Sequence, residues 1–371
     1  MTCDVGSLPF SGDFESFSKG AHGFGSLLEL LHPEDPSKSG PCHLFEEKVL
    51  EGLLGKLHAG IDVPNYPQFR DMNEMFLELM DGVRKTKGGY DLNGRLRLKP
   101  GRRVLPEVEA VKRNASRIRE TVGQKVALKI CVTGPYTLSS LLVNRTPQAF
   151  IQFGEVLQEI VEANVIKQSN LEVTLVSIDE PTFGFISDPL LDRGALGREI
   201  LLETWERICH RVKARGAKTI MHLHNTADEI FWNVRALEVV ESHVGDPLYE
   251  SVSARKACEA SDKFVKASIA VTDFDRLIRE KILESDPNLS EASIGGLVAE
   301  TWNSIKKGET DPEAFLESKR VMESRLKRIL SVFGEERVPL AGPECGTRSF
   351  PTIHCALECL RRTSEATRLK T

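Results

Sequence analysis

The chain has 371 residues, 40% of them hydrophobic and 28% charged, which is the composition of a soluble globular protein and enough length for one large domain or two ordinary ones. A net charge of −5 with no Lys/Arg cluster excludes a nucleic-acid footprint, and no long uncharged apolar stretch offers a membrane span. The start, Met1-Thr-Cys-Asp-Val5, lacks a basic region followed by an apolar core, and the eight cysteines show no framework spacing; reduced thiols and a cytoplasmic location are expected.

Along the chain, residues 11–60 carry Pro, Gly and Ser punctuation and read as loops and helices ahead of the first full βα unit. Short β-branched runs then read as buried strands: Val126–Val132, Leu171–Ile178, Thr219–Leu223, Leu237–Val240, Lys266–Val271 and Val338–Ala341. Longer helical patterns lie between them over Ala149–Gln168, Gly197–Arg215 and Pro312–Phe333. In the first of these, Phe150, Phe153, Val156, Leu157, Ile160, Val161 and Val165 form an apolar stripe at helical spacing. Residues 276–325 are mostly polar and helical, an insertion between two late strands.

Strand and helix in alternation predict a parallel sheet. No Gly-x-Gly-x-x-Gly follows an early strand, so the dinucleotide fingerprint is missing. The unusual residues instead follow many different strands. That distribution predicts an α/β fold of the TIM (β/α)8 type, one barrel over residues 1–371 with an N-terminal extension and a helical insertion.

Three separated fragments carry a metal-ligand set: His222-Leu-His224, Glu241 and Cys345, each just past an apolar strand. Period-two alternation puts both histidines on one face, and imidazole, carboxylate and thiolate together suit zinc. Glu241, buried after Val239-Val240, is costly there unless paired or ligating. His243 falls on the opposite side in extended backbone. Gly and Pro around Cys345 force an irregular backbone that aims the thiol inward, and Arg348 favours its thiolate or holds an anionic group. Ser177-Ile-Asp-Glu-Pro181 offers Asp179 and Glu180 as candidate substrate residues, one pointing into the mouth to a substrate ammonium and the other meeting backbone or Arg partners. Tyr136 and Thr137 offer hydroxyls, and Gly6-Ser7 offers backbone N–H groups to a carboxylate.

These fragments, in chain order, resemble the C-terminal catalytic barrel of the cobalamin-independent methionine synthase family. The matching pieces are Val5-Gly-Ser-Leu-Pro9, Gly60-Ile-Asp-Val63 with Phe69-Arg-Asp-Met72, Val132-Thr-Gly-Pro135, Ile178-Asp-Glu-Pro181, His222-Leu-His224, Val240-Glu-Ser242 and Pro343-Glu-Cys-Gly346. The resemblance implies a zinc-dependent methyltransferase of the single-barrel kind, acting on a thiol, homocysteine to give methionine. It implies His222, Glu241 and Cys345 as zinc ligands, Asp179 at the substrate amino group and Ser7 at its carboxylate.

Four departures stand out. His224 occupies the place of a cysteine. Asn65-Tyr-Pro-Gln68 lacks the family's Gly-Glu pair, leaving Gln68 where a carboxylate helps bind substrate. Asp273, in Ala270-Val-Thr-Asp-Phe274, stands where the family has a proton-donating histidine. A second, N-terminal barrel has no room in this length, so the methyl donor is expected to be a methyl-corrinoid, carried on a partner protein, or methyl-tetrahydrofolate. Three alternatives remain: chemistry on coenzyme M by methyl transfer or epoxide addition, a metal-free uroporphyrinogen-decarboxylase-like barrel using Arg70, Arg102 and Arg103, and a non-catalytic metal- or corrinoid-binding protein.

Overall fold

The structure is a computed structural model and describes residues 1–24, 40–185 and 187–368. Part of the 11–60 segment, residues 25–39, lies outside the described residues. The rest of that segment forms helices α1 (Phe14–Gly23) and α2 (Pro41–His58), the latter started by a proline at its first position, where the missing N–H costs nothing.

Helix α3 (Glu74–Leu77) leads into an antiparallel hairpin, β1 (Met80–Thr86) and β2 (Gly89–Leu98). The hairpin was not anticipated. Its strands are half exposed and largely polar, so no apolar run marks them.

Six parallel strands follow: β3 (Val126–Thr133), β4 (Leu171–Glu180), β5 (Lys218–Leu223), β6 (Val239–Glu241), β7 (Phe264–Ala270) and β8 (Leu340–Pro343), paired in sequence order. All six correspond to predicted runs. The sheet curls, and two short segments join its edges. Thr2 bridges Ala341 of β8, Cys3 bridges Val63, and Asn65 bridges Lys129 of β3. Backbone bonds Cys3 N–H to Ala341 O (3.0 Å), Val63 N–H to Thr2 O (2.9 Å) and Tyr66 N–H to Lys129 O (3.2 Å) accompany these bridges. The fold is a TIM-like barrel whose first two strands are reduced to bridges.

Helices α4 (Pro106–Arg113), α5 (Ala115–Val122), α6 (Pro135–Ser140), α7 (Pro147–Asn164), α8 (Leu196–Ala214), α9 (Val252–Ala260) and α13 (Ile353–Thr367) are distributed between and after the strands. The predicted stripe of α7 is buried at Phe150, Phe153, Val156, Leu157, Ile160 and Val161. Between β7 and β8 lie α10 (Phe274–Ser285), α11 (Glu291–Lys306) and α12 (Lys319–Phe333), which make up the expected insertion. The single helix expected over Pro312–Phe333 is broken. A 3-10 turn covers Pro312–Phe315, and Ser318 then accepts from the Val321 N–H, starting α12 afresh. Among the described residues no helix is long and apolar enough to cross a membrane.

The barrel interior is not wholly apolar. Lys56, Lys129, Lys266, Asp4 and Glu241 are all buried there or at its wall. Each is paired: Lys56 with Asp4 at 2.7 Å, Lys129 with Glu241 at 3.5 Å, and Lys266 with Glu241. Unpaired, any of these charges would be expensive so far from water.

Candidate metal centre

The C-terminal strand ends bring four donors together. One ligand atom each from His222, His224, His243 and Cys345 lies within 4.8 Å of all the others. His222 is the second-to-last residue of β5, where it pairs in register with Asp179 of β4 and Glu241 of β6. His224 follows the end of β5, and Cys345 follows β8 by two residues. The His224 and His243 rings are 3.9 Å apart between centroids, and Cys345 Sγ is 3.7 Å from His224 Nε2.

His243 was expected on the other side, and the structure reverses that reading. Strand β6 stops at Glu241, so strand alternation no longer governs residue 243. Its loop is pinned on both flanks: the Ser242 N–H donates to Tyr249 Oη (2.9 Å) and the Val244 N–H donates to Glu344 Oε2 (2.8 Å).

Glu241 lies outside this group of four. Its Oε2 accepts from Lys266 Nζ, and its Oε1 is 3.4 Å from His222 Nδ1, a charge contact rather than a hydrogen bond.

The electrostatics favour a thiolate. Burial alone would raise the Cys345 thiol, but the nearness and charge of the His222 and His224 imidazoles outweigh it and bring it down to about 6. Burial opposes a proton on His222, yet Cys345 and Glu241 hold it up to about 10. Burial lowers His224 and His243, which stay neutral near pH 7. Both ring nitrogens of His222 and Nε2 of His243 are buried without a hydrogen-bond partner among the described residues. Orphaned imidazole nitrogens converging on a thiolate fit a zinc-type ion. A tetrahedral zinc would need donor separations of roughly 3.3–3.8 Å, and Cys345 Sγ with His224 Nε2, at 3.7 Å, already meets that.

A cavity of about 260 Å³ opens beside the cluster, lined among others by Ser7, Gln68, Asp179, His222, His224 and Cys345. Gly346 makes this arrangement possible: a Cβ there would stand 1.9 Å from Ser7 Oγ. Asp179 is 4% exposed, and its Oδ1 accepts from Ser177 Oγ at 2.6 Å, which fixes the carboxylate's rotation. Burial raises its carboxyl above the usual range. Arg348 is at the exposed rim.

Besides Glu241, three expected site residues do not line the cavity. Glu180 accepts from the Tyr136 N–H (3.0 Å), the Thr137 N–H (2.7 Å) and Trp205 Nε1–H (2.8 Å), so it ties α6 and α8 to β4. Tyr136 gives its hydroxyl to Asp188 (3.0 Å), with its ring edge-on to Phe183. Asp273 is exposed and caps α10, accepting from the Arg276 N–H at 3.1 Å. A residue just past a strand is also just before a helix, and here capping is what its carboxylate does. Asp273→Ala is therefore expected to cost about 1 kcal/mol of stability through the lost cap. A chemical melt beside wild type reads that loss.

Sequence reasoning turned His243 to the wrong side and passed over Lys129, Lys266 and Glu344. A lysine inside Val126–Thr133 and another inside Phe264–Ala270 are the signal that was there: a charge in an apolar strand demands a buried partner.

No protein-family model matches the chain, and no curated protein matches it. Among solved structures, a B12-independent methionine synthase from Shewanella sp. W3-18-1, in complex with selenomethionine, is similar over 99% of this chain and 97% of its own, with 14% identity and a TM-score of 0.59. At that identity the likeness is one of fold. A GH5-4 broad specificity endoglucanase from Clostridium acetobutylicum matches over 88% of this chain and 93% of its own at 10% identity and a TM-score of 0.35. A Glycoside Hydrolase 5 lichenase from Caldicellulosiruptor sp. F32, in complex with cellotetraose, matches over 99% and 98% at 9% identity and 0.41.

Proposed function

We propose that this protein is a metal-dependent enzyme that moves a methyl group onto a thiol, with zinc as the metal and homocysteine or a similar small thiol as acceptor. The observation that carries the reading is the convergence of three imidazoles and a low-pKa thiol, of which His222, His224 and Cys345 line the cavity. The barrel likeness to a methionine synthase supports it. A zinc ion at that wall supplies a Lewis acid that lowers the pKa of an incoming sulfur.

The chain's own residues do the rest. His222, His224 and Cys345 face the cavity and hold the ion at its wall. Asp179, its rotation held by Ser177, takes a substrate ammonium, and Ser7 meets the carboxylate. Gln68 contributes a neutral amide to the same lining. The acceptor sulfur forms the new bond to carbon, the donor's bond to that methyl breaks, and the thiol proton goes to solvent. A methyl-corrinoid, on a partner protein, or methyl-tetrahydrofolate serves as donor. The porphyrin alternative has less support. Arg70 is held bidentate by Glu107 at 2.8 and 3.0 Å, while Arg102 and Arg103 are engaged away from the cavity.

Titration calorimetry of the zinc-loaded protein with homocysteine and with coenzyme M tests the reading; no heat with either thiol defeats it. Zinc uptake itself should depend on pH in a defined direction. With His222 near 10 and Cys345 near 6, uptake between those values displaces one proton, from His222. Affinity then rises about tenfold per pH unit there, and about a hundredfold per unit below pH 6, where Cys345 must also deprotonate. An affinity that stays flat from pH 6 to 8 would contradict the assigned protonation states.

A further inference from the structure

The geometry points to a ligand set of His222, His224, His243 and Cys345, with Glu241 kept off the metal as the counter-charge of two buried lysines. This rests on the metal-dependent reading above and departs from the ligands that the family resemblance implies.

The argument begins with Glu241. Val240 pairs in register with Val265, so the next residue on each strand, Glu241 and Lys266, are neighbours across the sheet. Lys266 is fully buried and has two acceptors, Glu241 Oε2 and Pro343 O (3.0 Å). Lys129, also fully buried, has Asp4 O at 3.0 Å and Glu241 Oε1 at 3.5 Å. Glu241 is thus the carboxylate that balances both ammonium groups at that depth. Drawing it to an ion would strand two cations away from water, a cost that a metal–oxygen bond must first overcome.

His243 has the opposite character. Its loop is fixed on both sides, through Ser242 and Val244, and among the described residues its Nε2 is buried with no partner. Its donor atom already falls within the 4.8 Å group, which holds no atom of Glu241. Glu344 is the positioning residue. Its two oxygens accept from Val244 N–H (2.8 Å) and Thr272 N–H (2.9 Å), so the residue before Cys345 ties the loop after β8 to the loops after β6 and β7. One peptide thereby sets the spacing between His243 and the thiolate.

The test starts from the wild-type zinc protein. X-ray absorption at the zinc edge should show three imidazoles and one sulfur at about 2.3 Å. Two imidazoles with one sulfur and one oxygen would overturn the assignment. Competition with a chelator gives a second measure. His243→Ala should weaken zinc binding at least about 100-fold, and Glu241→Gln by no more than about threefold. A large loss in Glu241→Gln with an intact absorption melt, or full retention in His243→Ala, overturns it as well. If Glu241→Gln does not fold, the wild-type spectrum still decides. A wild-type protein that binds no zinc at all defeats the broader functional reading instead, so the two failures are told apart.

Discussion

Replacing Cys345 by alanine should strip the protein of zinc and, with it, of thiol binding. Cys345 is the one anionic donor in the group of four, and its thiol is held near 6 by His222 and His224. Structural zinc sites bind with roughly 10–16 kcal/mol spread over four ligands, so losing the thiolate costs about 3–4 kcal/mol or more. That is at least a 100-fold fall in affinity, enough to empty the site after dialysis against a chelator. Under the proposed function, methyl transfer should fall to background in the same preparation. The fold should survive, since Cys345 sits in a loop past β8 and is partly exposed rather than part of the core. Metal analysis beside a thermal melt reads both quantities. Full zinc occupancy in Cys345→Ala would mean that the thiolate is not a ligand.

The second large effect is on stability. Glu180→Ala removes the acceptor for three buried donors, the N–H groups of Tyr136 and Thr137 and the indole of Trp205. Each orphaned donor costs about 1–3 kcal/mol, and partial hydration of the space left behind recovers some of that. We expect a net loss of about 3–5 kcal/mol, which for a chain of this size lowers the melting temperature by roughly 5 °C. Burial pushes the Glu180 carboxyl up to about 7 despite these bonds, so the group is held in a site that tolerates no polar vacancy. Gly134 is tied to the same site, because a Cβ there would meet the Glu180 carboxyl at 2.2 Å. A melting temperature within a degree of wild type would show that the three bonds contribute little. Zinc uptake by the folded fraction should be unchanged, since Glu180 does not line the cavity.

Glu180 and Asp179 show where sequence reasoning reaches its limit. They are adjacent, and both follow an apolar run. Period two sends them to opposite sides of β4, one to the cavity and one to the helices. The sequence reading named both for substrate; which side faces the barrel mouth is decided by the closure of the sheet. Asp273 is a similar case. A carboxylate between strand and helix suits either a site or a cap, and its exposure and the Arg276 N–H settle it as a cap.

From sequence alone came the parallel α/β class, the six main strands, the late helical insertion and the histidine, cysteine and aspartate fragments at strand ends. These are local: β-branched runs, helical periodicity and polar residues just past them declare themselves without neighbours. The closing bridges at Thr2, Cys3 and Asn65 were not legible, because single bridging residues carry no periodicity. Nor was the meeting of His243 with Cys345, which depends on where β6 stops and on Glu344 spanning two loops. The partnership of Glu241 with Lys129 and Lys266 joins residues on three strands, and only packing around a shared interior sets its distances. Sequence supplies the donors and the charges; which donor faces which charge is a property of the closed barrel, because burial makes each pairing exclusive.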